Sequence, residues 1–285
     1  MTETLTGAVP TAMAERTVIL DGRRHTYREA GEERLPALVA LHGLISHAGA
    51  WDDFALALSD RRRVLSLDQR GHGGSAWSPD YSQRAWVEDV GLFADALGLE
   101  RFDLIGHSMG GRVGFLYAAR YPERVARLVI VDIAPLKPSS WPPAPGSSFA
   151  TLEAALRVAR EPRYLGARDE LFERFMVRNL VQTPDGRWTW RCDPRLRAAP
   201  ATQAGFAATV DEQWAGLRGL SCPTLVIATE RNRLQTRERK REMAAAIPDG
   251  RFLEIKDSGH DVLLEQPEAH IAAVREFMTE ERGAR

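Results

Sequence analysis

Cysteine is almost missing from this chain of 285 residues: Cys192 and Cys222 are the only two, in unrelated surroundings. They supply neither a disulfide framework nor enough ligands for a Cys-based metal site, and read as two reduced, partly buried thiols. No run approaches the ~18 apolar residues of a membrane span. Met1 to Glu15 lack the basic start, apolar run and cleavage site of a secretory leader, so residues 1–15 read as a flexible tail and the protein as cytoplasmic. An excess of either charge is missing too. Lys plus Arg number 38 against 39 Asp plus Glu, a net of -1, and without a long basic run nothing gathers nucleic acid or anionic lipid. There is no internal repeat and no low-complexity tract. What remains, 44% hydrophobic and 27% charged residues, suits an ordinary globular protein of one large α/β domain or two small ones.

Short apolar runs alternate with helical patterns, the signature of a mostly parallel sheet with helices on both faces. Thr17 to Leu20 and His25 to Arg28, joined by Asp21-Gly22, predict an opening hairpin, because Asp-Gly accepts the positive φ angles of a tight turn. Buried strands are predicted at Ala37 to His42, Arg63 to Asp68, Phe102 to Gly106, Leu128 to Asp132, Thr224 to Thr229 and Arg251 to Ile255. Apolar residues at three-to-four spacing predict helices at Gln83 to Leu97, Ser108 to Arg120, Arg237 to Ala246 and Pro267 to Glu280. From Pro135 to about Ala204 no buried strand is signalled. A Pro-rich stretch (Pro135, Pro138, Pro142, Pro143, Pro145) leads there into helical pieces at Thr151 to Ala159 and Asp169 to Asn179. The expectation is a helical cap over 135–204, inserted after the sixth strand into a core of 16–134 and 205–285. Trp141, Trp188, Trp190, Phe149, Phe172 and Phe175 lie in that segment and could roof an apolar pocket, or form the cap's own small core. Trp51 could line the site or pack on the sheet.

Gly106-His107-Ser108-Met109-Gly110 follows a buried run and opens a helix. A serine on a sharp strand-to-helix turn needs small residues two before and two after it, because the neighbouring backbone packs close; the turn then presents Oγ at the carboxyl edge of the sheet. The same pattern in a loop would be chance, but its position here makes Ser108 the candidate nucleophile. A serine hydroxyl is weak until a base removes its proton. Of the seven histidines, His260 lies just after the last strand, on the same sheet edge as Ser108, and is the candidate base. His107 packs under the elbow, His270 lies on a helix and His25 near the hairpin, all three with structural roles as the simplest reading.

These motifs, with Leu41-His42-Gly43-Leu44, Asp68-Gln69-Arg70-Gly71-His72-Gly73-Gly74-Ser75 and the closing SGHDVLLEQPE, make the chain resemble the α/β-hydrolase fold superfamily, in its capped, esterase-like branch, from Thr17 to Met278. The resemblance implies an eight-stranded sheet, an oxyanion hole from the backbone N–H groups of Leu44 and Met109, and no metal or cofactor. The 68–75 loop lacks the Gly-Lys-Ser/Thr ending of a phosphate cradle and reads as support for the site. The acid departs from the pattern. In most such proteins a carboxylate follows the seventh strand; here the best-placed residue is Asn232, and a neutral amide cannot stabilise an imidazolium as a carboxylate does. Two replacements stand: Glu230, and Asp132 at the end of the sixth strand, 24 residues after Ser108. Asp132 is favoured, against the plainer reading that it caps the exit into the cap; Asp261 is taken as a loop residue.

The resemblance implies a serine hydrolase of small apolar carboxylic esters, acting through Ser108, His260 and Asp132 and an acyl-enzyme. The same machinery serves lactones, thioesters or carbon-carbon bonds beside a ketone. Haloalkane dehalogenation is disfavoured, since it needs a carboxylate at position 108. A slow or non-catalytic ligand-binding receptor is the alternative of another class, motivated by Asn232.

Overall fold

The computed structural model describes residues 12–135, 148–160, 166–197, 208–232 and 235–279. Trp141, the prolines at 138, 142, 143 and 145, and the first eleven residues of the expected tail lie outside them. The chain runs β1 Ala14–Leu20, β2 Arg23–Ala30, β3 Ala37–Leu41, α1 Asp52–Leu58, β4 Arg63–Leu67, α2 Gln83–Ala96, β5 Phe102–His107, α3 Met109–Arg120 and β6 Val125–Val131. It continues through α4 Leu152–Arg160, α5 Asp169–Asn179, β7 Leu180–Gln182, β8 Trp188–Trp190, α6 Val210–Arg218, β9 Thr224–Thr229, α7 Arg237–Ala246, β10 Gly250–Ile255, α8 Val262–Glu265 and α9 Pro267–Thr279.

Eight strands form one sheet in the order β1-β2-β4-β3-β5-β6-β9-β10. β1 and β2 are antiparallel, β2 meets β4 antiparallel, and every later pairing is parallel. Asp21 and Gly22 both take positive φ in the β1–β2 turn, as the dipeptide predicts. β1 begins earlier than expected. Ala14 pairs with Glu29 and Glu15 with Arg28, so these two residues belong to the sheet and not to a tail.

Successive residues of a strand face opposite sides, and the two cores divide accordingly. Along β3, Leu38 and Ala40 join α1 and α9 in one core, while Val39 and Leu41 join α2, α3, α6 and α7 in the other. Each fully buried Leu or Phe contributes about 1.5–3 kcal/mol by leaving water. The parallel registers align Gly106 with Ile130 and Val131 with Ile227. The residues just past the ends of β5, β6 and β9 therefore emerge side by side at one sheet edge.

Between β6 and α6 the described residues hold α4, α5 and a two-stranded antiparallel hairpin of β7 and β8. The hairpin was not expected. Its strands are three residues long, too short for a period-two signal, although Pro184-Asp185-Gly186 between them is turn chemistry. No described helix is long and apolar enough to cross a membrane. Cys192 and Cys222 are free and buried, and burial pushes the Cys192 thiol up to about 12.

Candidate active site

Ser108 stands between β5 and α3 with φ 53° and ψ -117°, a sparsely populated conformation that costs on the order of 1–3 kcal/mol. The flanking glycines make it possible. A Cβ on Gly106 would lie 2.2 Å from the Gly110 carbonyl oxygen, and one on Gly110 would lie 2.2 Å from that of Leu41. Any side chain at either position would drive α3 off the sheet.

Ser108 Oγ lies 3.0 Å from His260 Nε2, and His260 Nδ1 lies 2.7 Å from Asp132 Oδ2. Three residues 24 and 128 positions apart are thus brought into one chain of hydrogen bonds. Beside a carboxylate, Nδ1 carries the imidazole proton and donates it to Asp132, leaving Nε2 to accept from the serine hydroxyl. Asp132 is fully buried and, like Ser108, held at positive φ (53°). Its Oδ1 accepts from the Thr229 N–H (3.1 Å) and from the Lys240 ammonium, and its Oδ2 also accepts from Asn232 Nδ2 (2.5 Å). Burial alone would raise this carboxyl, but the bond to and charge of His260, joined by Lys240, outweigh it and hold the group well below the usual carboxylate range.

The loop after β3 approaches from the other side. A Cβ on Gly43 would lie 3.4 Å from Ser108 Cβ. Among the described residues neither the Leu44 N–H nor the Met109 N–H has an acceptor. Two buried histidines pin this loop: His42 Nε2 accepts from the Gln69 N–H (3.0 Å) and His72 Nε2 from the Ile45 N–H (3.2 Å). Asp68 accepts from the Ala48 N–H (2.6 Å) and Gly74 N–H (2.8 Å), so the 68–75 loop holds the 43–48 loop in place. His107 Nε2 donates to the His260 carbonyl (2.7 Å), a tether between the elbow and the base. On the far side, Glu265 accepts from the Gly259 N–H (2.8 Å) and Arg231 (2.8 Å), fixing the loop that carries His260. Among the described residues, no group of three His, Cys, Asp or Glu is placed to hold a metal ion.

A model of the alpha/beta hydrolase fold matches residues 36–267, well over half of the chain. The chain belongs to the alpha/beta hydrolase fold family. It is 29% identical over 265 residues to the sn-1-specific diacylglycerol lipase ABHD11 of Mus musculus, covering 87% of this chain and 82% of the lipase. With the 3-hydroxybutyrate-oligomer hydrolase of Cupriavidus necator it shares 29% over 276 residues, 90% of this chain and 93% of the hydrolase. The crystal structure of E-2-(acetamidomethylene)succinate hydrolase matches with a TM-score of 0.83 at 21% identity, covering 94% of this chain and 100% of that one, a likeness of fold.

The carboxylate beside His260 comes from the residue just past the end of β6. Asn232, past β9, donates to that carboxylate. Glu230 faces away, accepting from Lys256 Nζ (3.2 Å) and the Asp257 N–H (2.9 Å) at the surface. Asp261 is the N-cap residue of α8, its carbonyl accepting from the Leu264 and Glu265 N–H groups (2.9 and 3.1 Å). Trp51 is fully buried against Phe54 and His270, on the sheet, while Phe175 stacks on His47 at 5.0 Å. Phe149 and Trp190 meet edge to face at 6.3 Å between β6 and α6, and Trp188 is half-buried.

Lys240 escaped the sequence reading, since a lone lysine on the polar helix pattern of α7 reads as a solvated residue. In the structure it is fully buried against Asp132, with side-chain exposure of 0% for both. Removing one partner of such a pair leaves a buried charge with less compensation. Lys240→Met is therefore expected to lower unfolding free energy by about 3 kcal/mol, with Lys240→Arg intermediate, as read by urea denaturation at pH 7. Equal stability of Lys240→Met and wild type would show that the pair contributes nothing.

Proposed function

We propose that this chain hydrolyses carboxylic esters, with Ser108 as nucleophile, His260 as general base and acid, and Asp132 as the triad acid. The observation that carries the reading is the continuous pair of hydrogen bonds from Ser108 Oγ through His260 to Asp132, at 3.0 and 2.7 Å. Ser108 Oγ attacks the carbonyl carbon while its proton passes to His260 Nε2. The tetrahedral oxygen takes the N–H groups of Leu44 and Met109, and removing one such donor typically costs ~3 kcal/mol of barrier. His260 then protonates the departing alcohol, Asp132 holding Nδ1–H throughout. Water, deprotonated by His260, cleaves the acyl-enzyme and restores Ser108. The two relatives, a diacylglycerol lipase and a hydrolase of 3-hydroxybutyrate oligomers, are in keeping with ester substrates.

The 135–204 segment acts in this reading as the cap. Support comes from its seams with the core: Asn179 Nδ2 donates to the Ile45 carbonyl (2.8 Å), His47 Nε2 to that of Phe175 (3.0 Å), and Tyr81 to Asp193 (2.7 Å). The receptor reading took its motive from Asn232; the 2.7 Å contact between Asp132 and His260 favours the hydrolase over it. A panel of short acyl p-nitrophenyl esters, lactones and thioesters tests the reaction class. The acyl esters are expected to give the highest kcat/KM; a preference for lactones or thioesters reassigns the substrate, and turnover of none returns the receptor.

A further inference from the structure

We propose that Arg112 anchors an anion subsite beside Ser108, so that the preferred ester carries a second carboxylate close to its scissile carbonyl. This rests on the serine hydrolase reading and names its substrate class. Arg112 lies on α3, and its N–H donates to the Ser108 carbonyl at 3.1 Å, so the two residues stand one helical turn apart on one face. Helical side chains lean toward the N-terminus, which carries the Arg112 stem back over the turn that presents Ser108 and Met109.

Among the described residues three arginines are buried: Arg63, Arg70 and Arg112. Arg63 pairs with Glu29 at 2.7 Å and Arg70 with Asp89 at 2.6 Å. Arg112, 5% exposed, has no carboxylate and no hydrogen bond from its guanidinium, and its Nε is buried without a partner. Burial pushes the group down to about 10, with no neighbouring charge to oppose it. A cation out of water without a counter-ion weakens the empty protein and attracts any carboxylate that can enter. The planar fork of N–H donors suits a carboxylate in two-point contact. Four residues of helix rise about 6 Å, a span that an acyl chain of a few methylenes covers from a carbonyl at Ser108 toward the guanidinium.

The test compares p-nitrophenyl hydrogen adipate with neutral p-nitrophenyl hexanoate on wild type, Arg112→Met and Arg112→Lys. The ratio of kcat/KM, charged over neutral, is expected to exceed ten in wild type, to fall by about 100-fold in Arg112→Met, and to recover in part in Arg112→Lys. Calorimetry with adipate and the Ser108→Ala protein gives a readout without turnover: binding is expected there and lost on adding Arg112→Met. In carboxylate-free buffer Arg112→Met is expected to melt at or above the wild-type temperature. The same ratio in wild type and Arg112→Met, or an Arg112→Met protein that melts lower or does not fold, assigns Arg112 to structure and overturns the subsite. Hexanoate turnover without adipate preference overturns the subsite alone, whereas adipate binding through Arg112 with neither ester cleaved keeps the subsite and overturns the hydrolase.

Discussion

Asp132→Asn is expected to lower kcat/KM for a short acyl ester by about 10⁴-fold, while Glu230→Gln stays within about twofold of wild type. The asymmetry follows from what each carboxylate touches. Asp132 Oδ2 accepts a hydrogen bond from His260 Nδ1–H at 2.7 Å, whereas Glu230 is bound to Lys256 and the Asp257 backbone. An amide at 132 could offer its NH₂ group to Nδ1, favouring the tautomer whose Nε2 is protonated and cannot accept from Ser108. In the proposed mechanism the carboxylate also balances the imidazolium formed on attack by Ser108. Loss of activity in Glu230→Gln with retention in Asp132→Asn would reverse the assignment of the acid.

Acid is expected to unfold this protein near pH 5, because its buried histidines must charge to accept protons. Desolvation pushes His47, His72 and His107 down to about 4 and His270 to about 3, with His42 well below its ordinary value. A group with a depressed folded-state pKa binds fewer protons native than unfolded. Its contribution is complete above the unfolded value of about 6.5 and is lost as pH falls toward the folded value. Each such group removes about 1.4 kcal/mol per pH unit in that window, so these five, which carry the largest shifts beside a smaller one at buried His25, remove about 7. Asp68 works the other way: burial raises it to about 6, so it takes up a proton in the native state first and offsets one of the five below that pH. Against a typical total of 5–15 kcal/mol, one to two pH units of this slope exhaust the stability. Melting temperatures measured from pH 8 to pH 4 are expected to fall steeply below pH 6; a flat profile down to pH 4.5 would show that these rings are not held neutral by folding.

Much of this architecture is legible in the residues because period and punctuation agree. β3, β4, β5 and β9 read as near-continuous apolar runs, and α5 and α7 keep the bounds that their periodicity and flanking residues imply. Ser108 is legible because the elbow demands glycine at 106 and 110, and His260 because its loop follows the last strand. α6 went unread although Thr209 and Glu212 form a capping box at its start, a signal of Thr-x-x-Glu spacing that was there to use. α1 went unread because its first turn follows directly on a short 3-10 turn at Ala48–Trp51, with no cap to mark the boundary. The environment of the acid is of another kind. Lys240, Asn232 and Thr229 meet at Asp132 through the β6–β9 pairing and the packing of α7, contacts between residues about a hundred positions apart that no local pattern encodes. The same holds for Arg112, whose oddity is a missing partner and shows only beside Arg63 and Arg70, the other buried arginines among the described residues, each paired with a carboxylate.

Labelling with a fluorophosphonate, followed by peptide mass mapping, addresses the activated serine most directly. A single adduct on the Ser108 peptide, with labelling slowed by orders of magnitude in His260→Ala, is what the hydrogen-bonded chain from Asp132 to Oγ requires. An adduct on another residue, or equal rates in wild type and His260→Ala, would contradict it.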